Sequence, residues 1–212
     1  MKEKRRGVAF LSLAIAVLAA AAPTSQSLRR TSASPVEVSG GSVSFEVATN
    51  LLATTVRGKS SALKGWSRVH ENGSGLMLEE VGAVVPVASL RTGIKVRDTH
   101  MREYIFETTD GQVPDISFSA DKVECSPTET TAAYTCVTSG TLAIRAQSRP
   151  FTTVLSVVRQ PDGYRINADG KIALSQYGIE RPSQFGVRTD DEVKIHLEFI
   201  ARNMAPATAA LR

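Results

Sequence analysis

Apolar and polar residues alternate with a period of two along much of this chain, and this pattern restricts the fold more than any other feature. It is clearest at 193–199, where valine, isoleucine, leucine and phenylalanine alternate with lysine, histidine and glutamate. Successive side chains of a strand point to opposite faces, so the pattern predicts strands with one buried and one solvated face. Turn residues at 72–75 and 161–163 separate such segments.

Eight or nine strands are predicted, and the chain is therefore an all-β domain. The segments are 36–47, 52–60, 63–69, 76–90, 115–125, 134–145, 150–159, 163–174 and 193–199. Pro86 inside the fourth segment indicates an edge strand or a bulge. A closed antiparallel barrel would leave no exposed sheet edge, and about eight strands enclose room for side chains or one small ligand. A two-sheet sandwich satisfies the same pattern and stays open.

The stretch Ser89–Phe118 interrupts the strands and carries a charged cluster that is followed by apolar residues at 101–106. The cluster consists of Arg97, Asp98 and His100. We expect a short helical turn in which Asp98 caps the free amides that follow it. Met101 and Ile105, four residues apart, would then share one face. The sequence thus predicts a short helical lid over one end of the barrel.

The first 22 residues have the pattern of a secretory signal peptide: a basic start, then an apolar run that ends in alanines. A membrane anchor is the alternative, although fifteen apolar residues are few for a bilayer. We expect a disordered leader at 23–35, one barrel domain at 36–202 and a flexible tail at 203–212. Export predicts a periplasmic or secreted protein.

Charge argues against a nucleic-acid partner. Residues 1–6 carry four basic side chains and one acidic side chain, so the net charge of +4 falls to +1 without them. A nucleic-acid-binding protein needs a persistent basic face.

Two cysteines, Cys125 and Cys136, flank a ten-residue polar link between two predicted strands. In an oxidising compartment they favour a disulfide between neighbouring strands. Two free buried thiols are the alternative.

The motifs of familiar catalytic and metal sites are not found. The three histidines, His70, His100 and His196, stand far apart and match no zinc-site spacing. Gly58-Lys59-Ser60 imitates a phosphate-binding loop but lacks the first glycine and the following helix. We therefore expect no enzyme, no catalytic residue, no metal and no cofactor other than a bound lipid.

Five short motifs follow one another along the chain: SLRTG at 89–93, RDTHMR at 97–102, PDISFS at 114–119, GTLAIR at 140–145 and YGIERPS at 177–183. In this order they resemble the YceI-like family, a group of exported bacterial proteins with a lipocalin-shaped barrel. The resemblance covers about residues 36–201. It implies a lipocalin-like antiparallel barrel of about eight strands. Ala146 stands where the family usually has glycine, and the cysteine pair is not a hallmark of the family.

The resemblance implies a long apolar cavity that holds an amphiphilic lipid, such as an isoprenoid quinone or a fatty-acid-like chain. Each buried methylene contributes about 0.8 kcal/mol, so a long chain needs few polar contacts. The expected ligand-binding residues lie on inward strand faces, in the lid and in the loop that contains positions 177–185. They are Phe45, Val47, Met101, Tyr104, Ile105, Phe106, Phe118, Leu142, Ile144, Ile172, Leu174, Tyr177 and Phe185.

Each of these expectations has a structural alternative. The barrel can fill its interior with its own side chains and act as a stress-related or protein-interaction domain. An enzyme with a cavity-based site is the third hypothesis. Arg97, Asp98 and His100 either bind a polar head group or fix the lid to the rim, and we favour the second role. Transient membrane contact and a homodimer also remain open.

Overall fold

The computed structural model describes residues 33–204, except positions 53, 73–74, 146 and 185. The predicted signal peptide, most of the leader and the tail after residue 204 lie outside the described residues. Ten strands are present in the described part: β1 Ser34–Thr49, β2 Thr55–Ser60, β3 Lys64–Asn72, β4 Gly75–Val85, β5 Ile116–Pro127, β6 Ala133–Ile144, β7 Gln147–Gln160, β8 Gly163–Ala173, β9 Ser183–Gln184 and β10 Val187–Asn203.

Eight of these strands close into an antiparallel barrel. The order β1-β3-β4-β5-β6-β7-β8-β10 returns to its start, because β10 also pairs with β1 from Val36↔Asn203 to Thr49↔Thr189. On its other edge β1 pairs first with β3 and then with β2. The closed antiparallel barrel is confirmed, and the alternative of a two-sheet sandwich is wrong.

The turn residues set the register of the hairpins as predicted. Asn72 at the end of β3 pairs with Gly75 at the start of β4, and Gln160 of β7 pairs with Gly163 of β8. Loops this short bring neighbouring strands together directly. The order of strands along the sheet consequently follows the order of the chain from β3 to β8.

Several predicted strand boundaries are wrong. Strand β1 begins at Ser34, two residues inside the predicted leader. Strand β2 begins at Thr55 rather than at Leu52, which lies fully exposed in the turn between β1 and β2. Strand β4 ends at Val85, so Pro86 stops a strand rather than lying within one. The irregularity of β4 lies instead near Glu80, which has a φ of 52°.

Helical segments cover one end of the barrel. Helix α1, Lys95–His100, runs directly into a π-helical turn, Met101–Phe106. A 3₁₀ turn at Val87–Ser89 precedes them, and a second one at Leu174–Tyr177 follows β8. Among the described residues no helix is long and apolar enough to cross a bilayer.

Two apolar clusters fill the barrel from its two ends. One lies under α1 and the π-helical turn, and we call this end of the barrel the lid end. The other surrounds a disulfide between Cys125 of β5 and Cys136 of β6, at the disulfide end. The predicted disulfide is confirmed, and the alternative of two free thiols is wrong.

Candidate ligand-binding interior

Strand register decides which side chains point into the barrel. Val47 of β1 lies opposite Val193 of β10, which lies opposite Ile172 of β8. Val47 and Val193 are buried in the lid-end cluster, so this face of the three strands is the inner wall. Alternation along each strand then assigns Phe45 and Ile195 to the same wall.

The inner wall is densely packed at both ends and less so between them. Inward side chains in the middle layer are only half-buried: Val43, Phe45, Phe118, Phe151, Ile172, Ile195, Leu197 and Phe199. At the disulfide end, by contrast, Val123 and Cys136 are almost completely buried. The middle side chains thus point inward but keep part of their apolar surface accessible.

Phenylalanine rings in this layer lie over glycines of neighbouring strands. The ring of Phe45 occupies the place where a side chain on Gly58 would be, and a Cβ on Gly170 would lie 2.8 Å from Cζ of Phe151. The Phe118 ring lies in the same way against Gly140. The missing side chains let the rings lie flat along the wall instead of crossing the interior.

Most of the predicted ligand-binding residues meet in the lid-end cluster. The fully buried members are Val47, Met101, Phe106, Leu142, Ile144, Leu174 and Tyr177, and Phe45, Ile105, Phe118 and Ile172 pack against them. Phe185 lies outside the described residues.

Tyr104 is not brought to the inner wall. Its side chain is 72% exposed, and its ring meets the edge of the His100 ring with centroids 5.5 Å apart. The π-helical winding explains the difference, because it places Met101 and Phe106, five residues apart, on the buried side. The expected pairing of Met101 with Ile105 on one face is therefore only partly realised.

Sequence reasoning missed other members of the middle layer. Phe151, Leu197 and Phe199 line it, although none was singled out as a ligand-binding residue. Leu197 and Phe199 belong to the clearest period-two run in the sequence, so the signal was present. The missing information was how deep each residue would lie along the barrel, which depends on register.

The charged side chains of the lid form hydrogen bonds with Thr92, in the turn that precedes the lid helix. Oδ1 of Asp98 accepts hydrogen bonds from the backbone N–H of Thr92 at 2.7 Å and from its hydroxyl at 2.5 Å. The guanidinium of Arg97 donates to the Thr92 carbonyl at 2.9 Å. Asp98 therefore reaches back to the preceding turn, and the expectation that it caps the following amides is wrong: α1 has no side-chain cap.

Electrostatics around Asp98 favour its ionised form. Burial opposes ionisation, but the hydrogen bonds from Thr92 and the charges of Arg91 and Arg102 outweigh it, so the Asp98 pKa lies below its usual range. These contacts tie α1 to the turn that precedes it, and the role of the cluster in fixing the lid to the rim stays a prediction.

A polar network closes the disulfide end. The hydroxyl of Tyr164 donates to Oε1 of Glu71 at 2.8 Å, and Oε2 of Glu71 pairs with Arg159 at 2.7 Å. Burial and the bond to Glu71 raise the Tyr164 pKa above its ordinary value. In the part of the chain that the structure describes, no three histidine, cysteine or acidic side chains are grouped to hold a metal.

Fold and interior together define a class of protein: a closed eight-stranded antiparallel barrel with an apolar interior and a short helical lid. Within that class, the YceI-like domain profile matches residues 35–201, and the chain belongs to the YceI-like family. No curated protein sequence matches the chain significantly.

Solved structures with the same fold are distant in sequence. Burkholderia cenocepacia BcnA is 15% identical with a TM-score of 0.56, and the match covers 76% of this chain and 95% of that protein. A polyisoprenoid binding domain from Saccharophagus degradans, implicated in plant cell wall breakdown, is 17% identical with a TM-score of 0.55, over 80% and 98%. The Campylobacter jejuni YCEI protein is 17% identical with a TM-score of 0.54, over 74% and 90%.

Proposed function

We propose that this protein is an exported, non-enzymatic binding protein that holds the apolar chain of an amphiphilic lipid inside its barrel. The observation that carries the proposal is the middle layer of the barrel, where Phe45, Phe118 and Leu197 point inward and keep accessible apolar surface. Apolar surface left accessible forgoes about 25 cal/mol per Å², and an apolar ligand would recover it.

The ligand class is proposed as a polyprenyl chain, for example that of an isoprenoid quinone, or a fatty-acid-like chain. The similar Saccharophagus degradans protein is described as a polyisoprenoid binding domain, which supports the first. A periplasmic or secreted location is proposed from the signal-peptide pattern of residues 1–22. A filled barrel that binds another protein is the rival function, and the half-buried middle layer speaks against it.

The lid end offers a surface for brief contact with a membrane that supplies the lipid. Ile94 and Val96 are 53% and 63% exposed, and they flank Lys95 at the start of α1. Tyr104, the exposed aromatic residue of the π-helical turn, adds to this surface. Exposed apolar side chains beside basic ones suit the interface of a bilayer.

The test is ligand capture by the purified protein, followed by organic extraction and mass spectrometry. The protein is also incubated with vesicles of phosphatidylcholine that contain an isoprenoid quinone or palmitic acid, and is then separated from them. We expect one chain per protein in the native extract or after loading. A protein that is repeatedly empty and extracts neither lipid overturns the proposal.

A matched pair of variants locates the site. Leu197→Gln places an amide on the inner wall, and Glu198→Gln places the same amide on the outer face of the same strand. Burying an amide without a partner costs about 1–3 kcal/mol, so Leu197→Gln should raise the Kd by about tenfold or more. Glu198→Gln should leave the Kd unchanged. Equal effects of the two variants would place the ligand outside the barrel.

A further inference from the structure

The ladder between β7 and β8 stops halfway up the barrel. It runs from Gln160↔Gly163 to Val154↔Asp169 and goes no further. Beyond that point β7 continues to Gln147 and pairs only with β6, while β8 continues to Ala173 and pairs only with β10. Two strand edges therefore face each other in the lid half without joining.

A cavity of about 510 Å³ lies at this gap. It is lined by Thr152, Thr153, Val154, Asp169, Gly170, Lys171, Lys194 and Ile195. Alternation assigns Thr153, Gly170 and Ile195 to the inner wall and the other five to the outer face. The depression is therefore lined by residues of both faces at the point where the ladder ends, and we call it the β7–β8 window.

Contacts bound the window above and below. At its lower edge the hydroxyl of Thr153 donates to the Asp169 carbonyl at 2.7 Å. At its upper edge Nε of Arg149 donates to the carbonyl of Gln176 at 2.8 Å, which joins β7 to the 3₁₀ turn after β8. The window is thus a framed opening, and the strands that form it remain tied at both ends.

The window lies beside the middle layer, whereas side chains fill the interior at both ends of the barrel. At the lid end, Met101, Phe106 and Tyr177 are each at most 8% exposed and fill the interior below the helical segments. At the opposite end, Tyr164 and Glu71 close the barrel. Ile195, by contrast, belongs both to the middle layer and to the lining of the window.

Phe151 covers the window from the inside. Its ring lies against the backbone of Gly170 and meets the Phe118 ring edge-on, with centroids 6.2 Å apart. It is held by apolar contacts, and no hydrogen bond would have to break for the ring to swing away. A side chain at position 170 would clash with the Phe151 ring, so glycine is what lets the ring cover the window.

We propose that the β7–β8 window is the route by which the apolar chain of the ligand enters and leaves the barrel, with Phe151 as its gate. The proposal rests on the proposed function and adds the path to it. The outer rim is polar, with Asp169 bonded to His196 at 2.8 Å and Lys171 paired with Glu192 at 3.0 Å. A polar head group can therefore stay hydrated at the rim while the chain passes inward.

The test compares exchange rates with affinity. Binding of a fluorescent polyene fatty acid, cis-parinaric acid, is followed by stopped flow, and its release is measured into excess phosphatidylcholine vesicles. Phe151→Ala should raise the association rate by about tenfold, a barrier change of about 1.4 kcal/mol, and the dissociation rate by at least as much. Its Kd should shift about as much as that of Phe45→Ala, because both rings line the middle layer. The control is Phe45→Ala, which removes the same ring from a glycine contact at a place where the two strands concerned, β1 and β2, are paired. It should change Kd without accelerating both rates.

Closing the window should have the opposite effect. Thr152 and Lys171 would face each other if the ladder continued, so the double variant Thr152→Cys, Lys171→Cys can cross-link the edges. Oxidised protein should exchange the probe at least about tenfold more slowly, and mild reduction that spares the buried native disulfide should restore the rate. Thr152→Trp, a change at an exposed position on the outer rim, gives an independent obstruction if the cross-link does not form.

The outcomes separate the two proposals. Wild-type protein that binds neither the probe nor a quinone overturns the proposed function, and the window with it. The window alone is overturned if the protein binds the probe but neither the cross-link nor Thr152→Trp changes the exchange rates. It is also overturned if Phe45→Ala and Phe151→Ala change the exchange rates equally.

Discussion

Replacement of Asp98 by alanine should release the lid without unfolding the barrel. The Asp98 carboxylate is 5% exposed and accepts two hydrogen bonds from Thr92. Hydrogen bonds to charged groups contribute about 1.5–3 kcal/mol each, but the half-buried Thr92 regains water when they are lost. We therefore expect the free energy of lid opening to fall by about 3 kcal/mol.

Native-state hydrogen exchange measures this directly. A loss of about 3 kcal/mol corresponds to amide exchange that is about 100-fold faster in residues 95–106. Amides of β8 should change little, because their hydrogen bonds do not depend on the lid. Asp98→Asn keeps one acceptor oxygen and should lie between the wild type and Asp98→Ala. Asp110→Asn is the matched control: this carboxylate also accepts from a threonine, Thr108, but is exposed.

The same carboxylate makes lid stability depend on pH in a defined direction. Since the pKa of Asp98 is lowered in the folded protein, the unfolded state binds more protons as the pH falls. The stabilisation of the lid by ionised Asp98 is fully present above the pKa of the unfolded state, about 3.9. This stabilisation is lost as the pH falls through the lower pKa of the folded protein. Lid protection should therefore fall below about pH 4 in the wild type, and less steeply in Asp98→Asn. If Asp98→Ala leaves lid exchange unchanged, or accelerates the barrel amides equally, the reasoning is refuted.

Two further predictions concern the disulfide end. Replacing both Cys125 and Cys136 by alanine opens a covalent loop with a sequence separation of 11, and should lower the free energy of unfolding by about 3 kcal/mol in guanidinium titrations. A loss below about 1 kcal/mol would contradict the loop-entropy argument. Tyr164→Phe removes the bond to Glu71 and should cost about 1–2 kcal/mol at neutral pH. Because the Tyr164 pKa is raised, wild-type stability should also fall as the pH rises above about 10, and the variant should fall less; equal slopes in the two proteins would contradict this.

Local signals in the sequence were enough to predict the strands and hairpins of an all-β domain, whereas the family resemblance was needed to choose a barrel over a sandwich. The period-two run at 193–199 became the centre of β10, which pairs along its length with β1 and β8. The short turns at 72–75 and 161–163 joined neighbouring strands directly. Alternation and turn chemistry depend on residues close in sequence, and for this reason they could be interpreted without the structure.

Features set by long-range register could not be predicted in the same way. Phe151 continues the alternation of the lower part of β7, so nothing in the sequence marks Val154 as the last residue that pairs with β8. Asp98 looked like a helix cap because the start of α1 was unknown; it is the fourth residue of that helix and bonds backward to Thr92. Tyr104 was predicted to point inward, but the π-helical turn places Met101 and Phe106 on the buried side and leaves Tyr104 exposed.

The positions of the strong interactions suit the proposed binding interior. Half-buried side chains such as Phe45 and Leu197 would gain burial free energy, at about 25 cal/mol per Å², from contact with the proposed ligand. The disulfide and the Tyr164–Glu71 bond stabilise one end, and Asp98 ties α1 to the turn that precedes it at the other. These interactions stabilise the barrel at its two ends. Occupation of the middle layer should therefore add stability without altering the ends, which is the behaviour of a preformed site.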